Sequence, residues 1–431
     1  FESLVKLLAF VAVGLFVTYE VYHGVDDLFA NARANEHLAR LMDWKQSVNP
    51  WDWGWLMVIS MFAVLFLPRQ FHMAVVENTD PVHVDKATWL FPLYLLIINL
   101  FVLPVAFAGH LHFHASGVDA DTYVLGLPLL YGKQALALLV FIGGLSASTS
   151  MVIVATIALS IMVSNNIVMP LLLRPALLKE SSAADLSPRL RLIRRLLILL
   201  ILFTAYLYFH LIGGRTPLVS IGLISFVAVS QFAPAIIGGL FWKGATRAGA
   251  IAGLLGGFLV WAFCLPFPSL VEAGFLPQSI LNEGLMGIHL LRPYAFLGLE
   301  GMDHISHAAF WSLLVNSLLY AGVSLYSRDP AIGRSQANLF VNISKYVGID
   351  AETPVWRGKA FLQDIRLLLH RFLGPERGEA LLVTYAHSNR IHLEKTVEAS
   401  AELVSYAERL LAGAVGSSSA RLLVASVVKE E

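Results

Sequence analysis

The sequence predicts an all-α polytopic membrane protein followed by a small cytoplasmic helical bundle, and three observations carry that prediction. Hydrophobic residues are 57% of the chain and charged residues only 14%, a balance that a water-soluble domain rarely sustains. The apolar residues gather into runs of about 20, the length of helix that crosses about 30 Å of hydrocarbon. Beyond Asp350 those runs stop, and apolar residues recur at helical spacing among charged ones. The formal charge is zero, so no basic field invites nucleic acid. The single cysteine, Cys264, excludes a disulfide framework and a cysteine-rich metal site.

Eight runs are expected to be spans: 3–22, 52–76, 88–109, 134–163, 192–213, 217–241, 248–266 and 308–327. The chain opens at Phe1 without an initiator Met and enters the first run at once. That run has span length and no small-residue cleavage site, so it reads as a span of a longer polypeptide and not as a signal peptide. Arg174, Lys179, Arg189, Arg191, Arg194 and Arg195 gather around the gap after the fourth run, and Arg328, Arg334 and Lys345 follow the last. The excess of basic residues places both segments in the cytoplasm, with 110–133, 214–216 and 267–307 outside. Only the 25–50 loop departs, with Arg33, Arg40 and Lys45 among four carboxylates.

The membrane domain is thus expected over 1–328, a cytoplasmic linker over 329–352, and a module of four short helices with the start of a further linker over 353–431. Phe361, Ile365, Leu368 and Phe372 keep helical spacing, as do Val397, Ala401, Val404, Ala407 and Leu411; Gly374-Pro375 and the segment 413–419 interrupt the pattern. Fewer than about 80 residues rarely build a self-sufficient core. The module should therefore lean on the membrane domain, on a second copy, or on whatever follows it.

Two stretches inside the spans are candidates for chemistry. In MFAVLFLPRQFHMAVVENTD, from Met61 to Asp80, Pro68 interrupts a span and Arg69, Gln70 and His72 follow it. Proline lacks the N–H that would bond the preceding turn, and in lipid such a break survives only where protein or a watery cavity satisfies the freed backbone. Broken helices of this kind build midplane substrate sites in transporters, with an intramembrane arginine paired to a ligand carboxylate or a protein acid. A proline kink near the cytoplasmic end, with Arg69 reaching the headgroups, is the other reading. In GGLSASTS, from Gly143 to Ser150, Gly143, Ser146 and Ser150 share one helix face. Hydroxyls on that face suit a small hard cation or a polar substrate, while small residues also serve simply to let spans pack closely. On spacing alone, packing is preferred. His110, His112 and His114 read as interfacial side chains and not as a metal clip, since no carboxylate or cysteine cluster accompanies them. No phosphate loop or nucleophile elbow is present, so no catalytic residues, cofactor or metal are expected and the chain does not read as an enzyme.

These two stretches, with SQFAPAIIGGLFWKGATRAGAIAGLLGG and the opening FESLVKLLAFVAVGLFV, resemble the sodium/solute symporter family. The run from WRGKAFLQDIRLLLHRFLG to ASVVKEE resembles the STAC domain, the connector of transporter-linked sensor histidine kinases of the CbrA type. The resemblance implies a LeuT-like inverted-repeat fold, of which this chain would hold the last eight helices of thirteen. It implies a bacterial inner membrane, uptake of a small amino acid, most directly L-histidine, and a sensor kinase beyond Glu431 that acts on a response regulator in carbon and nitrogen control. It places Leu65, Phe66, Arg69 and Gln70 at the substrate site. It also sets Ser146 and Ala147 where sodium-coupled members present two adjacent hydroxyls, of which the second is missing here. The expected coupling ion is therefore H⁺, carried by a group such as His72, and not Na⁺. The alternatives are a ligand-binding receptor without transport and a sodium-coupled symporter for another solute such as proline.

The orientation is tested by cysteine labelling. Gly117→Cys should react from outside and Ser182→Cys only after permeabilisation; the reverse pattern would invert the topology.

Overall fold

The computed structural model describes residues 2–43, 49–76, 78, 81–113, 117–172, 187–211, 217–272, 274–327, 337, 341, 360–389, 398–425 and 427. His114, Arg174, Lys179, Ser182, the loop 214–216, most of the 329–352 linker, 353–359 and Val397 lie outside them. Among the described residues, seven helices are long and apolar enough to cross a membrane, and an eighth span is counted if the bent pair Pro50–Phe66 and Pro68–Val76 is one. The protein is an all-α polytopic membrane protein.

In chain order the helices are α1 (Glu2–Leu15), α2 (Val25–Ala34), α3 (Glu36–Met42), α4 (Pro50–Phe66), α5 (Pro68–Phe71), α6 (Pro81–Asn99), α7 (Val102–Phe113) and α8 (Tyr123–Leu130). There follow α9 (Gln134–Val163), α10 (Met169–Leu172), α11 (Ser187–Leu211), α12 (Leu218–Ser230), α13 (Ala233–Phe241), α14 (Arg247–Cys264), α15 (Pro266–Glu272), α16 (Ser279–Glu283) and α17 (His304–Tyr326). The module contains β1 (Ala360–Phe361), α18 (Leu362–Leu373), α19 (Pro375–Asn389), β2 (Glu398–Ala399), α20 (Ala401–Val415) and α21 (Ser417–Ala425). Two compact units emerge from the packing. One comprises Phe1–Val154 and Tyr208–Val341, the other Ala155–Leu207 and Asn342–Glu431. Composition marks the domain boundary near residue 328, whereas packing assigns the segment 155–207 to the same unit as the module.

Within the first unit, local chemistry sets each interruption. Asn49 caps α4 by accepting from the Trp51 N–H, with Pro50 at the first helical position, where its missing N–H costs nothing. The helix ends at Leu67, whose backbone is extended (φ −59°, ψ 127°), and α5 restarts with Pro68 at its own first position, 45° off the axis of α4. The break thus falls on the residue before proline, which the pyrrolidine ring pushes out of the helical region. α8 lies in the stretch 110–133 that charge placement assigns to the outside loop; the apolar helix Ala120–Leu130 there is too short to span. Gly14 and Thr18 show how α1 passes into a π-helical turn, Phe16–Val21: the Thr18 hydroxyl donates to the Gly14 carbonyl at 2.7 Å.

Helices α14 and α17 approach closely along a line of glycines. Gly253 and Gly257 are buried on α14, and a Cβ at Gly257 would lie 2.3 Å from Gln231 Oε1 and 2.8 Å from Asn316 Cβ. Only glycine permits that approach. The space is filled by amides: Gln231, at the turn between α12 and α13, donates to Ser312 Oγ (2.8 Å), and Asn316 donates to the Gln231 carbonyl (2.7 Å) and to Gln231 Oε1 (3.1 Å). The start of α4 is tied to the segment before α17, since Asn49 donates to the Gly301 carbonyl and Asp52 accepts from the Asp303 N–H.

Within the second unit, α18 to α21 close around Leu362, Ile365, Leu369, Leu403, Ala407 and Leu411. Phe361, expected on the buried stripe, is instead 39% exposed on β1, which pairs antiparallel with β2, and Leu362 takes the inward position ahead of Ile365. The stripe is therefore shifted by one residue at its start, because the helix begins after Phe361 and not before it. The core is completed by Met169 of α10 (2% exposed) and Leu190 of α11 (7%), the same unit's membrane-helix residues.

The glycine stripe yields a stability test. Gly257→Val should force Gln231 and Asn316 apart and cost about 1–3 kcal/mol of overpacking, read as a lower unfolding midpoint in detergent. An unchanged midpoint would show that α14 and α17 do not pack as described.

Candidate functional site

The sequence-predicted residues fall into different surroundings. Leu65 is exposed, Phe66, Arg69 and Gln70 are partly buried, and His72, 9% exposed, opens the π-helical turn His72–Val76 behind the break. Phe66 packs on Phe62, with ring centroids 5.8 Å apart. None of these five lines the cavities described next.

On α9, Gly143 sits against α1: a Cβ there would be 2.8 Å from Ala9 Cβ, so this glycine serves helix packing. Beside it opens a cavity of about 490 Å³, lined by Gly143, Gly144 and Ser148 of α9, by Lys6 of α1 and by Asp121 before α8. Ser146 and Ser150 are partly buried and do not line it. The polar face that meets space is therefore the one through Gly144 and Ser148, rotated from the predicted one. Ser148 donates back to the Gly144 and Leu145 carbonyls (2.9 and 3.1 Å), which leaves its oxygen lone pairs for a ligand. Phe10, Phe141 and Leu145 supply apolar wall.

Lys6 and Asp121 make this cavity distinctive. Neither is in an ion pair among the described residues: Lys6 stands 5.6 Å over the Tyr94 ring, and Asp121 accepts the Leu218 N–H at 3.3 Å. In a second, wider cavity of about 770 Å³, by contrast, Lys133 and Glu20 neutralise each other at 2.5 Å. A cation and an anion that line one space unpaired, with apolar wall between, can receive the two ends of a zwitterion. The sequence signal for Lys6 was a lone charge inside an apolar run; Asp121 gave none, because the loop reading hid α8.

Beyond the cavity, α9 continues to Val163 and passes through a π-helical turn, Ser164–Val168, into α10. There the second unit has its polar joint. Arg194 of α11 is partly buried and donates through Nη2 to the carbonyl of Ala414 (2.5 Å) and to Asn165 Oδ1 (3.3 Å). Ala414 lies in the last turn of α20, whose unpaired carbonyls and negative dipole end favour a cation. Gly416, with φ +87°, ends α20 and comes so close to the π turn that a Cβ would lie 3.0 Å from Asn165 Cβ. Among the described residues no group of three or more His, Cys, Asp or Glu side chains could hold a metal ion.

No protein-family model, curated protein or solved structure matches the chain.

The joint can be tested by Arg194→Met. Losing a charged donor to the α20 carbonyls should cost about 1–3 kcal/mol and expose the end of α20 to limited proteolysis. Cleavage unchanged from the wild type would mean that the arginine does not hold the helix end.

Proposed function

We propose that this chain is the membrane part of a transporter-linked sensor: a symporter-like domain for a small amino acid, L-histidine by resemblance, whose state reaches a cytoplasmic helical module. The observation that carries the reading is the cavity beside Gly144 and Ser148, where Lys6 and Asp121 offer opposite, unpaired charges to a carboxylate and an ammonium. The broken span at Leu67 is in keeping with a transporter, since discontinuous helices recur at transporter ligand sites. The LeuT-like arrangement, membership of the sodium/solute symporter family, the bacterial inner membrane and the kinase with its response regulator are parts of the proposal that rest on resemblance.

In this reading the ligand carboxylate meets Lys6, its ammonium meets Asp121, and Ser148 accepts from a polar side chain. Leu65, Phe66, Arg69 and Gln70 would join the site only when α4 and α5 change their bend. The coupling ion is H⁺, carried on His72, because Ala147 offers no oxygen beside Ser146 for a dehydrated Na⁺.

The test is uptake of labelled L-histidine into proteoliposomes with proton and sodium gradients imposed separately. The proton gradient should drive uptake, and Lys6→Met should weaken ligand binding about ten- to hundredfold, the worth of a charged hydrogen bond. Binding without uptake would make the domain a receptor. Sodium-driven uptake abolished by Ser146→Ala would overturn the proton assignment, and wild-type affinity in Lys6→Met would remove the cavity from the site.

A further inference from the structure

A third cavity, of about 330 Å³, lies where α12 begins, α14 and α15 end and α17 begins. It is lined by Ser220, Ile224, Leu265, Glu272, Tyr294 and His304, among others, all of the first unit. No residue singled out in the sequence reaches it. Its volume is at the small end of the range that small-molecule sites occupy.

The charges around it do not balance. Glu272, at the end of α15, accepts the Tyr294 O–H through Oε1 at 2.7 Å, and its Oε2 accepts no bond among the described residues. Burial, together with the bond to Glu272, holds the Tyr294 hydroxyl above its usual range, so it stays a neutral donor. His304, which lines the cavity, faces both Glu272 and Asp303 but is hydrogen-bonded to Asp303, so the two carboxylates outnumber it. His304 Nδ1 lies 3.1 Å from Asp303 Oδ1, and that hydrogen bond draws Asp303 below the usual carboxylate range. Arg292 pairs with Glu300 at 2.6 Å and donates also to the His289 carbonyl. Glu272 is thus a carboxylate with one open oxygen, and the Ser220 hydroxyl has no partner among the described residues.

We propose that this cavity binds an ammonium group, through Glu272 Oε2 and Ser220 Oγ, borne by a small primary amine or by the ethanolamine headgroup of a lipid. The donor set decides the class. No group of three or more His, Cys, Asp or Glu side chains that could hold a metal ion lies among the described residues, whereas an ammonium has three N–H donors that one open carboxylate oxygen and one hydroxyl can begin to satisfy. The Tyr294 ring adds an aromatic surface of the kind that attracts cations, and Ile224 and Leu265 cover the carbon next to the nitrogen. An anion would meet the Glu272 and Asp303 carboxylates with only His304 against them. This site shares no residue with the Lys6–Asp121 cavity, and its existence does not depend on the transport reading.

The experiment uses the whole chain in nanodiscs of phosphatidylcholine and phosphatidylglycerol, titrated calorimetrically with ethanolamine and, as a control, acetate. Ethanolamine should bind saturably and acetate should not. Glu272→Gln, which keeps an acceptor for Tyr294, should weaken that binding about tenfold or more without lowering the unfolding midpoint, and Ser220→Ala should weaken it less. Nanodiscs doped with phosphatidylethanolamine then separate the sources. Retention of that lipid by the wild type in native mass spectrometry, lost in Glu272→Gln, assigns the headgroup; ethanolamine binding undiminished by doping assigns the free amine. Absence of both ethanolamine binding and lipid retention, or either one unchanged in a correctly folded Glu272→Gln, would overturn the proposal.

Discussion

Hydrocarbon offers no hydrogen-bond partner, so a chain that crosses it must satisfy every backbone N–H and C=O from within. The architecture follows from that constraint, and so do its exceptions. At Leu67 the ladder breaks, and the Gln70 and Phe71 N–H groups turn to the Leu67 carbonyl at 2.9 and 3.0 Å to start a new helix. Where the α12–α13 turn interrupts another span, Gln231 meets Asn316 and Ser312 in space that glycines on α14 leave open. Each irregularity is bound up with a particular neighbour and is therefore a place where a neighbour's movement is felt.

The helical module faces the complementary problem. Its own helices have too little apolar surface to close a core, and Met169 and Leu190 complete it. Arg194 gives up part of its hydration to reach the end of α20, and the Ala414 carbonyl at the negative end of that helix, with the Asn165 side-chain Oδ1, compensates. In chain order, the helix α9 that carries Gly144 and Ser148 is followed by the π turn and by α10, which carries Met169 of the module core. A π turn often marks a functional site within a helix.

Much of this was legible from residue pattern. Seven of the eight expected spans, with the eighth if the bent pair counts as one, follow from apolar run length, the break beside Pro68 follows from proline chemistry, and the module's need for support from outside its own helices follows from its small size. What escaped has physical causes. Phe361 obeyed the helical period but precedes the helix, because spacing does not report where the first turn starts. The face through Ser146 and Ser150 looked as polar as the one through Gly144 and Ser148, and only the packing of α1 against Gly143 decides which one meets open space. Asp121 and Glu272 look like ordinary loop or helix-end acids until the folded chain shows which cations are already taken.

The proposed transporter-linked sensor requires that occupancy of the membrane cavity be felt in the module. Hydrogen exchange of the whole chain in nanodiscs, with and without saturating L-histidine, addresses it directly. The account predicts altered protection at 65–76 and at 143–148, together with a matching change at 164–169 and in the last turn of α20. A ligand-induced change confined to the membrane cavity, with Asn165 and Ala414 exchanging as before, would contradict it.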